Sequence, residues 1–163
     1  MDTLAVLADG AARVVLRTAT AADLTAVVDL IAADQLGATR DGVRDEADLA
    51  AYSAAFESID ADPAHLLIVA DQGGQVVGTM QLSFLPGLAR RGALRAQIEA
   101  VRVARSQRGS GLGAAMMAWA IEEASRRGCA LVQLTSDKAR TDAHRFYARL
   151  GFVASHEGMK LAL

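Results

Sequence analysis

Three glycines at alternate positions, Gly109, Gly111 and Gly113, follow Arg108 in the stretch SQRGSGLGAAMMAWA (106–120), where the chain turns from polar to apolar. Glycine weakens a helix interior by about 1 kcal/mol relative to alanine, so three of them at a helix start need a reason. The first turn of a helix leaves backbone N–H groups without an intrahelical partner, and the macrodipole adds about half a positive charge at that end. With no Cβ in the way, an anion can approach those groups closely. Arg108 adds a planar cation suited to bidentate phosphate contact. The stretch therefore reads as a pyrophosphate cradle, with a ligand-free glycine-rich turn as the plain alternative. Gly109, Gly111 and Ala114 also fit the G-x-G-x-x-A of a dinucleotide site, but the polar ARSQR precedes them and three strands come earlier in the chain. No Gly-Lys-Ser/Thr follows, which argues against a phosphate-loop NTPase.

Other side chains with chemical potential are scattered. Glu99 lies in QIEAVRV, where a charge buried without a partner is costly; it suits proton transfer, or a salt-bridged place on a strand surface. Gln97 shares its face by the two-residue period of a strand. Tyr147 stands beside Phe146, which by composition alone suggests packing. His144, three residues before Tyr147, shares its helix face and suits substrate contact, proton shuttling or plain surface exposure. Arg90, Arg91 and Arg95 flank a turn and suit either an acidic acceptor or solvent. His65, His156 and the lone Cys129 show no metal-ligand spacing, so no metal is expected. Cys129 reads as a packed thiol, and Met116, Met117 and Trp119 as the core face of a helix.

These residues need elements to hold them. ARVVLRTA (12–19) reads as a strand. Thr20 and Asp23 form a capping-box pattern before a helix marked by Leu24, Val27, Val28 and Ile31. A second helix, 44–59, carries Leu49, Tyr52, Ala55, Phe56 and Ile59 on one face. Two β-rich runs flank Gly73 and Gly74, a hairpin signal. AQIEAVRVA (96–104) is a further strand, whose Ile98 and Val101/Val103 pair need cover on opposite faces. A helix then runs to about Arg127, stopped by Gly128. ALVQLTS is a strand, ARTDAHRFYARL a helix capped by Gly151, and FVAS and GMKLAL read as closing strands. The hairpin implies antiparallel pairing, and the later strand–helix alternation implies a parallel pair. The expected class is α/β with a mixed sheet.

The chain has 163 residues, enough for one domain with a sizeable core. Seventeen basic and nineteen acidic side chains leave a formal charge of −2, which argues against nucleic acid as a partner. One cysteine fits a reducing compartment. With no basic n-region at the start and no apolar run near the roughly 20 residues of a membrane span, a cytoplasmic protein is expected.

The stretch VRVARSQRGSGLGAAMMAWAIEEA resembles the acetyl-CoA-binding motif of the GNAT superfamily of N-acetyltransferases, Gln/Arg-x-x-Gly-x-Gly/Ala, met by Arg108, Gly111 and Gly113. AHRFYARLGF resembles the family's second signature, a helix bearing a tyrosine followed by Gly-Phe. The two occur in the family's order with one strand between them. The resemblance implies one GNAT acetyltransferase domain over 1–163: a mixed, mostly antiparallel sheet flanked by helices, with a splayed parallel pair formed by its fourth and fifth strands.

The resemblance further implies that acetyl-CoA, as co-substrate, lies in the notch of the splayed pair. Its pantetheine would pair with Val101, Arg102 and Val103, and its pyrophosphate would meet the N–H groups of Arg108, Gly109, Ser110, Gly111, Leu112 and Gly113. The acetyl group would pass directly to a primary amine. Glu99 would take the amine's proton, itself or through a water, the Val101 N–H would face the oxyanion, and Tyr147 would protonate the thiolate. Phe146 and Phe152 would stay in the core. Many relatives carry asparagine where this chain has Arg140; it would contact the cofactor or a substrate anion, or face solvent, with Ser136 or Asp137 covering the lost contact. The acceptor is expected to be a small molecule, met by the loop 34–44 with Asp34, Arg40 and Asp41. A protein acceptor and a non-catalytic acyl-CoA-binding module are the alternatives. No membrane partner is expected, and homodimers are common in the family.

Overall fold

The fold is seen in a computed structural model that describes residues 2–9, 12–33 and 41–162. Six strands form one sheet: β1 (Thr3–Asp9), β2 (Ala12–Thr18), β3 (His65–Gln72), β4 (Gln75–Leu85), β5 (Arg95–Val103) and β6 (Leu131–Leu134), in the order β1-β2-β3-β4-β5-β6. The first four neighbouring pairs are antiparallel, and β6 beside β5 makes the sheet mixed. The helices are α1 (Leu24–Ala32), α2 (Glu46–Ala61), a four-residue turn α3 (Ala89–Gly92), α4 (Leu112–Arg126) and α5 (Thr141–Arg149). The chain divides into two compact units, Met1–Gln133 and Leu134–Leu163.

In the first unit the hairpin expectation holds. Gln72 faces Gln75 across the two glycines, and Gly73 and Gly74 both have positive φ, as a two-residue turn of this kind requires. One face of the sheet carries α1 and α2, where Leu24, Val27, Val28 and Phe56 pack with Ala19 and Val69. The other face carries α4, whose Leu112, Met116, Met117, Ala120 and Ala124 are buried. Gly78 of β4 lies under α4, and a Cβ there would stand 3.0 Å from the Met116 sulfur. At its far end α4 is tied to β4 by the Arg127 guanidinium, 4.1 Å over the Phe84 ring. Glu123 accepts hydrogen bonds from both Arg126 and Arg127, and the bond from Arg126 is the main cause holding its carboxyl below the usual range.

An ion-pair network joins β2, α1 and the hairpin. Arg17 is buried and donates to both carboxylate oxygens of Asp23, at 2.7 and 2.8 Å, and to Asp71 at 2.9 Å. Asp71 in turn accepts from the Gly74 N–H at 2.7 Å. The capping-box reading of Asp23 holds, since it accepts from the Thr20 N–H at 2.8 Å, but the same carboxylate also serves the arginine.

Several expectations are corrected. β1, which the sequence pattern does not mark, pairs with β2 as an edge strand and leaves Val6 52% exposed, so its apolar pattern is weak. On α2 only Phe56 is buried, while Leu49 is exposed, because the helix covers the sheet along a narrow contact. The closing strands at 152–155 and 158–163 do not form among the described residues. Val153, Met159 and Leu161 are exposed there; strand propensity does not make a strand without a partner ladder.

In the second unit α5 is amphipathic: Ala143, Phe146, Tyr147 and Leu150 are half-buried among exposed neighbours. Gly151 closes it, with its N–H on Ala148 and the Phe152 N–H on Tyr147.

Arg17 holds the Asp23 pKa down from 3.8 to about 2. A carboxyl depressed on folding stabilises above its unfolded pKa and ceases to do so as pH falls through the folded one. The network should therefore contribute about 2 kcal/mol that disappears between pH 4 and pH 2. Asp23→Asn should lose about 2 kcal/mol at neutral pH, since Asp71 still pairs with the buried guanidinium, and should flatten that acid limb. Urea melts at a series of pH values check both.

Candidate active site

The strand β5 contains one residue too many for its partner. Gln81 faces Glu99 and Thr79 faces Arg102, so Ala100 and Val101 together oppose Met80 alone. Ala100 takes φ +50° to accommodate this. Such a bulge disrupts the local ladder and leaves backbone groups of the extra residue unpaired. It also reverses the parity of the strand. Cross-strand partners share a face, so Ile98, opposite Leu82, and Val103, opposite Gly78, lie on the same side of the sheet, under α4. Val101 joins them by alternation. The expectation that Ile98 and the Val101/Val103 pair need opposite faces is thereby overturned. Glu99 and Arg102 share the other face with Gln97, Thr79 and Gln81.

Glu99 is exposed. Val101, Arg102 and Val103 are half-buried, and Arg102 turns a guanidinium N–H onto the Val101 carbonyl at 2.9 Å. Past Val103 the Ala104 N–H still reaches the Val77 carbonyl, at 2.8 Å. A single 3₁₀ turn, Arg105–Gln107, then leads into the glycines, and Gln107 anchors it by donating to the Gln72 side chain at 2.8 Å.

The helix begins at Leu112, later than the pattern suggests, with Gly111 as its N-cap. Gly109 and Gly111 have φ of +84° and +96°, and nothing lies within 4 Å of a Cβ placed on either. These two glycines meet a backbone requirement; Gly113 lies inside the first helical turn and has no positive φ. Ser110 donates to the Gln107 carbonyl at 2.8 Å and accepts from the Leu112 N–H at 3.2 Å. The Leu112 side chain is buried, so that residue offers the loop only its backbone. Arg108, Gly109, Ser110 and Gly111 are exposed. An open, left-handed loop at a helix N-terminus beside an exposed guanidinium suits an oxyanion, and these residues therefore fit the diphosphate of a coenzyme.

Beside the loop lies a cavity of about 540 Å³. Val103, Ala104, Arg105 and Arg108 line one side, the hairpin residues Gly74, Gln75 and Val76 another, and α1 the third, through Ala22, Asp23, Ala26, Asp29, Leu30 and Ala33. Of the expected cofactor residues, Val103 and Arg108 border this space and the glycines do not. The sequence motifs do not mark Arg105 or the α1 face, although alanines at 22, 26 and 33, on α1 and its flanks, leave that side without bulk.

In the second unit Arg140 is the half-buried N-cap of α5. Tyr147 is half-buried and packs edge-to-face with Phe146 at 5.2 Å and with Phe152 at 5.9 Å. His144 is exposed, its ring Nε2 2.9 Å from the Asp137 carbonyl oxygen. Ser136 carries a buried hydroxyl that makes no hydrogen bond among the described residues. Asp34 and Arg40 of the expected acceptor loop lie outside the described residues. Cys129 is half-buried, and desolvation is the main cause that raises its thiol pKa, so it is a poor nucleophile. Among the described residues no cluster of His, Cys, Asp and Glu could hold a metal ion, and no helix is long and apolar enough to cross a membrane.

The sequence profile of the Acetyltransferase (GNAT) family matches residues 27–152. The aminoalkylphosphonate N-acetyltransferase of Salmonella typhimurium is 33% identical over 114 residues, covering 70% of this chain and 73% of its own. The glucosamine 6-phosphate N-acetyltransferase of Trypanosoma brucei brucei is 37% identical over 90 residues, 55% of this chain and 59% of its own. The crystal structure of a Bacillus halodurans protein described as a transcriptional regulator superposes with a TM-score of 0.87 at 45% identity, covering 92% of this chain and 99% of that one.

A non-glycine residue in the left-handed region costs about 1 kcal/mol or more. Ala100→Gly should therefore raise unfolding stability by about 1 kcal/mol, read as a higher urea midpoint at unchanged slope.

Proposed function

Since the chain belongs to the Acetyltransferase (GNAT) family, we propose that this acetyltransferase carries an acetyl group from acetyl-CoA directly to the primary amine of a small molecule. One observation carries the reading: the bulged β5 leads through Val103 and Arg108 into a left-handed glycine loop opening α4, beside a cavity of about 540 Å³. That is a continuous path from unpaired strand backbone to an oxyanion cradle. The whole of 1–163 would act as one acetyltransferase domain. The relatives named for aminoalkylphosphonate and glucosamine 6-phosphate support a small acceptor. A cytoplasmic setting fits such chemistry.

Acetyl-CoA supplies an activated thioester. Val101, Arg102 and Val103 present strand backbone to its pantetheine, and the N–H groups from Arg108 to Gly113, with the Arg108 guanidinium, hold its diphosphate. The Val101 N–H, next to the bulge, donates to the carbonyl oxygen as negative charge grows there. Glu99 accepts the amine's proton, directly or through one water, since only the neutral amine attacks. Being exposed, it can exchange that proton with solvent. The family resemblance gives Tyr147 the part of acid toward the departing thiolate and places Arg140 on a cofactor oxyanion; the orphaned Ser136 hydroxyl supports a polar ligand near the start of α5.

The second reading is a non-catalytic acyl-CoA-binding module. Release of free thiol from acetyl-CoA in the presence of a panel of amines separates the two, because the module gives cofactor-dependent thermal stabilisation and no thiol. Tyr147→Phe should lower kcat about tenfold to a hundredfold with little change in acetyl-CoA affinity by titration; equal kcat in the two proteins would remove Tyr147 as the acid. Glu99→Gln should lower kcat/KM and change its pH profile. An identical pH profile would assign the base to water or another group.

A further inference from the structure

Arg95, Gln97 and Glu99 precede the bulge, so strict alternation keeps all three on one face of β5, opposite Leu85, Ser83 and Gln81. That face carries a polar row across four strands. The His65 ring Nδ1 lies 2.8 Å from the Ser83 hydroxyl, Ser83 faces Gln97 across the ladder, and Gln133 donates to Gln97 at 2.7 Å. The row is held in place by its own hydrogen bonds and crosses β5 at Gln97, between Glu99 and Arg95, two charges of opposite sign on the same face. About 13 Å of strand separates their Cα atoms, a span that two long side chains can divide with a small acceptor.

The turn entering β5 is unusual. Arg90 and Arg91 have φ of +55° and +62°, and Gly92 follows at +78°. Three successive residues are left-handed, and two of them are arginines, a residue type that rarely adopts this conformation. Such outliers persist at sites where a side chain's position matters. Arg90, Arg91 and Arg95 are all exposed, and among the described residues none of the three sits in an ion pair. Three guanidiniums suit a doubly charged anion, which accepts several forked contacts.

Resting on the transferase reading above, we propose that Arg95, assisted by Arg90 and Arg91, binds a phosphorus oxyanion of the acceptor, phosphate or phosphonate, while the acceptor's amine meets Glu99. The arginines are then specificity-determining residues, and the polar row is the floor between the two charges.

The test measures thiol release from acetyl-CoA with matched amines: 2-aminoethylphosphonate, β-alanine and propylamine, and glucosamine 6-phosphate against glucosamine. The expected kcat/KM for each phosphorus-bearing amine exceeds that of its neutral counterpart by about tenfold to a hundredfold. Arg95→Gln should cut that ratio about tenfold through KM, Arg95→Lys should restore part of it, and Arg90→Gln/Arg91→Gln should lower it further in combination. Raising ionic strength should increase KM for the phosphonate. A ratio near one in the parent, or a ratio that Arg95→Gln does not move, overturns the proposal. β-Alanine equal to the phosphonate overturns the choice of phosphorus. Absence of thiol release with every amine, beside thermal stabilisation by acetyl-CoA, removes the transferase reading itself and this proposal with it.

Discussion

The extra residue that β5 inserts opposite Met80 decides what the rest of the sheet can do. Before it, Arg95, Gln97 and Glu99 point to the α1 and α2 side. After it, Arg102 keeps that side while Val101 and Val103 turn toward α4. A regular strand would put Glu99, Val101 and Val103 on one face and bring an acid into an apolar layer. The bulge instead lets one strand serve a polar floor and an apolar core, and it frees strand backbone at the junction. The cost is one alanine in the left-handed region.

The surroundings hold that junction against the helix that follows. Val103 and Ala104 remain laddered to Gly78 and Val77, and Gln107 is tied to Gln72. The hairpin end that carries Gln72 is itself fixed, because Asp71 links the Gly74 turn to Arg17 and so to Asp23 at the start of α1. Thus one buried guanidinium joins the hairpin and α1 walls of the cavity beside the glycine loop, and Gln107 ties the third wall to the hairpin. At the other end of α4, Glu123 and the stacking of Arg127 on Phe84 fix the helix to β4. Both ends of α4 are thereby fastened.

Membership of the Acetyltransferase (GNAT) family gives this arrangement a chemical sense. Acyl transfer from a thioester needs little covalent chemistry from the protein. It needs a donor where negative charge develops, a base for the amine, and tight positioning. A bulged strand, an exposed carboxylate two residues before Val101 and a left-handed loop at a helix N-terminus are the parts the proposed transfer would use for these needs.

Much of this was legible in the amino-acid order. The hairpin at Gly73–Gly74, the capping box at Thr20–Asp23, the stop at Gly128 and the glycine loop behind Arg108 are all local: each depends on backbone freedom or on hydrogen bonds within a few residues, and residue types at fixed spacing report those directly. What the tertiary structure alone decided is non-local. The bulge at Ala100 has no marker residue, since alanine carries no preference for it, and it appears only when β4 and β5 are laid in register. The closing strands failed for the same reason, because apolar alternation at Met159 and Leu161 says nothing about whether a ladder partner exists. Arg17, Asp23 and Asp71 are separated by up to 54 residues, and no pattern along a chain announces which charges will be buried together; three-dimensional packing sets both the pairing and its strength.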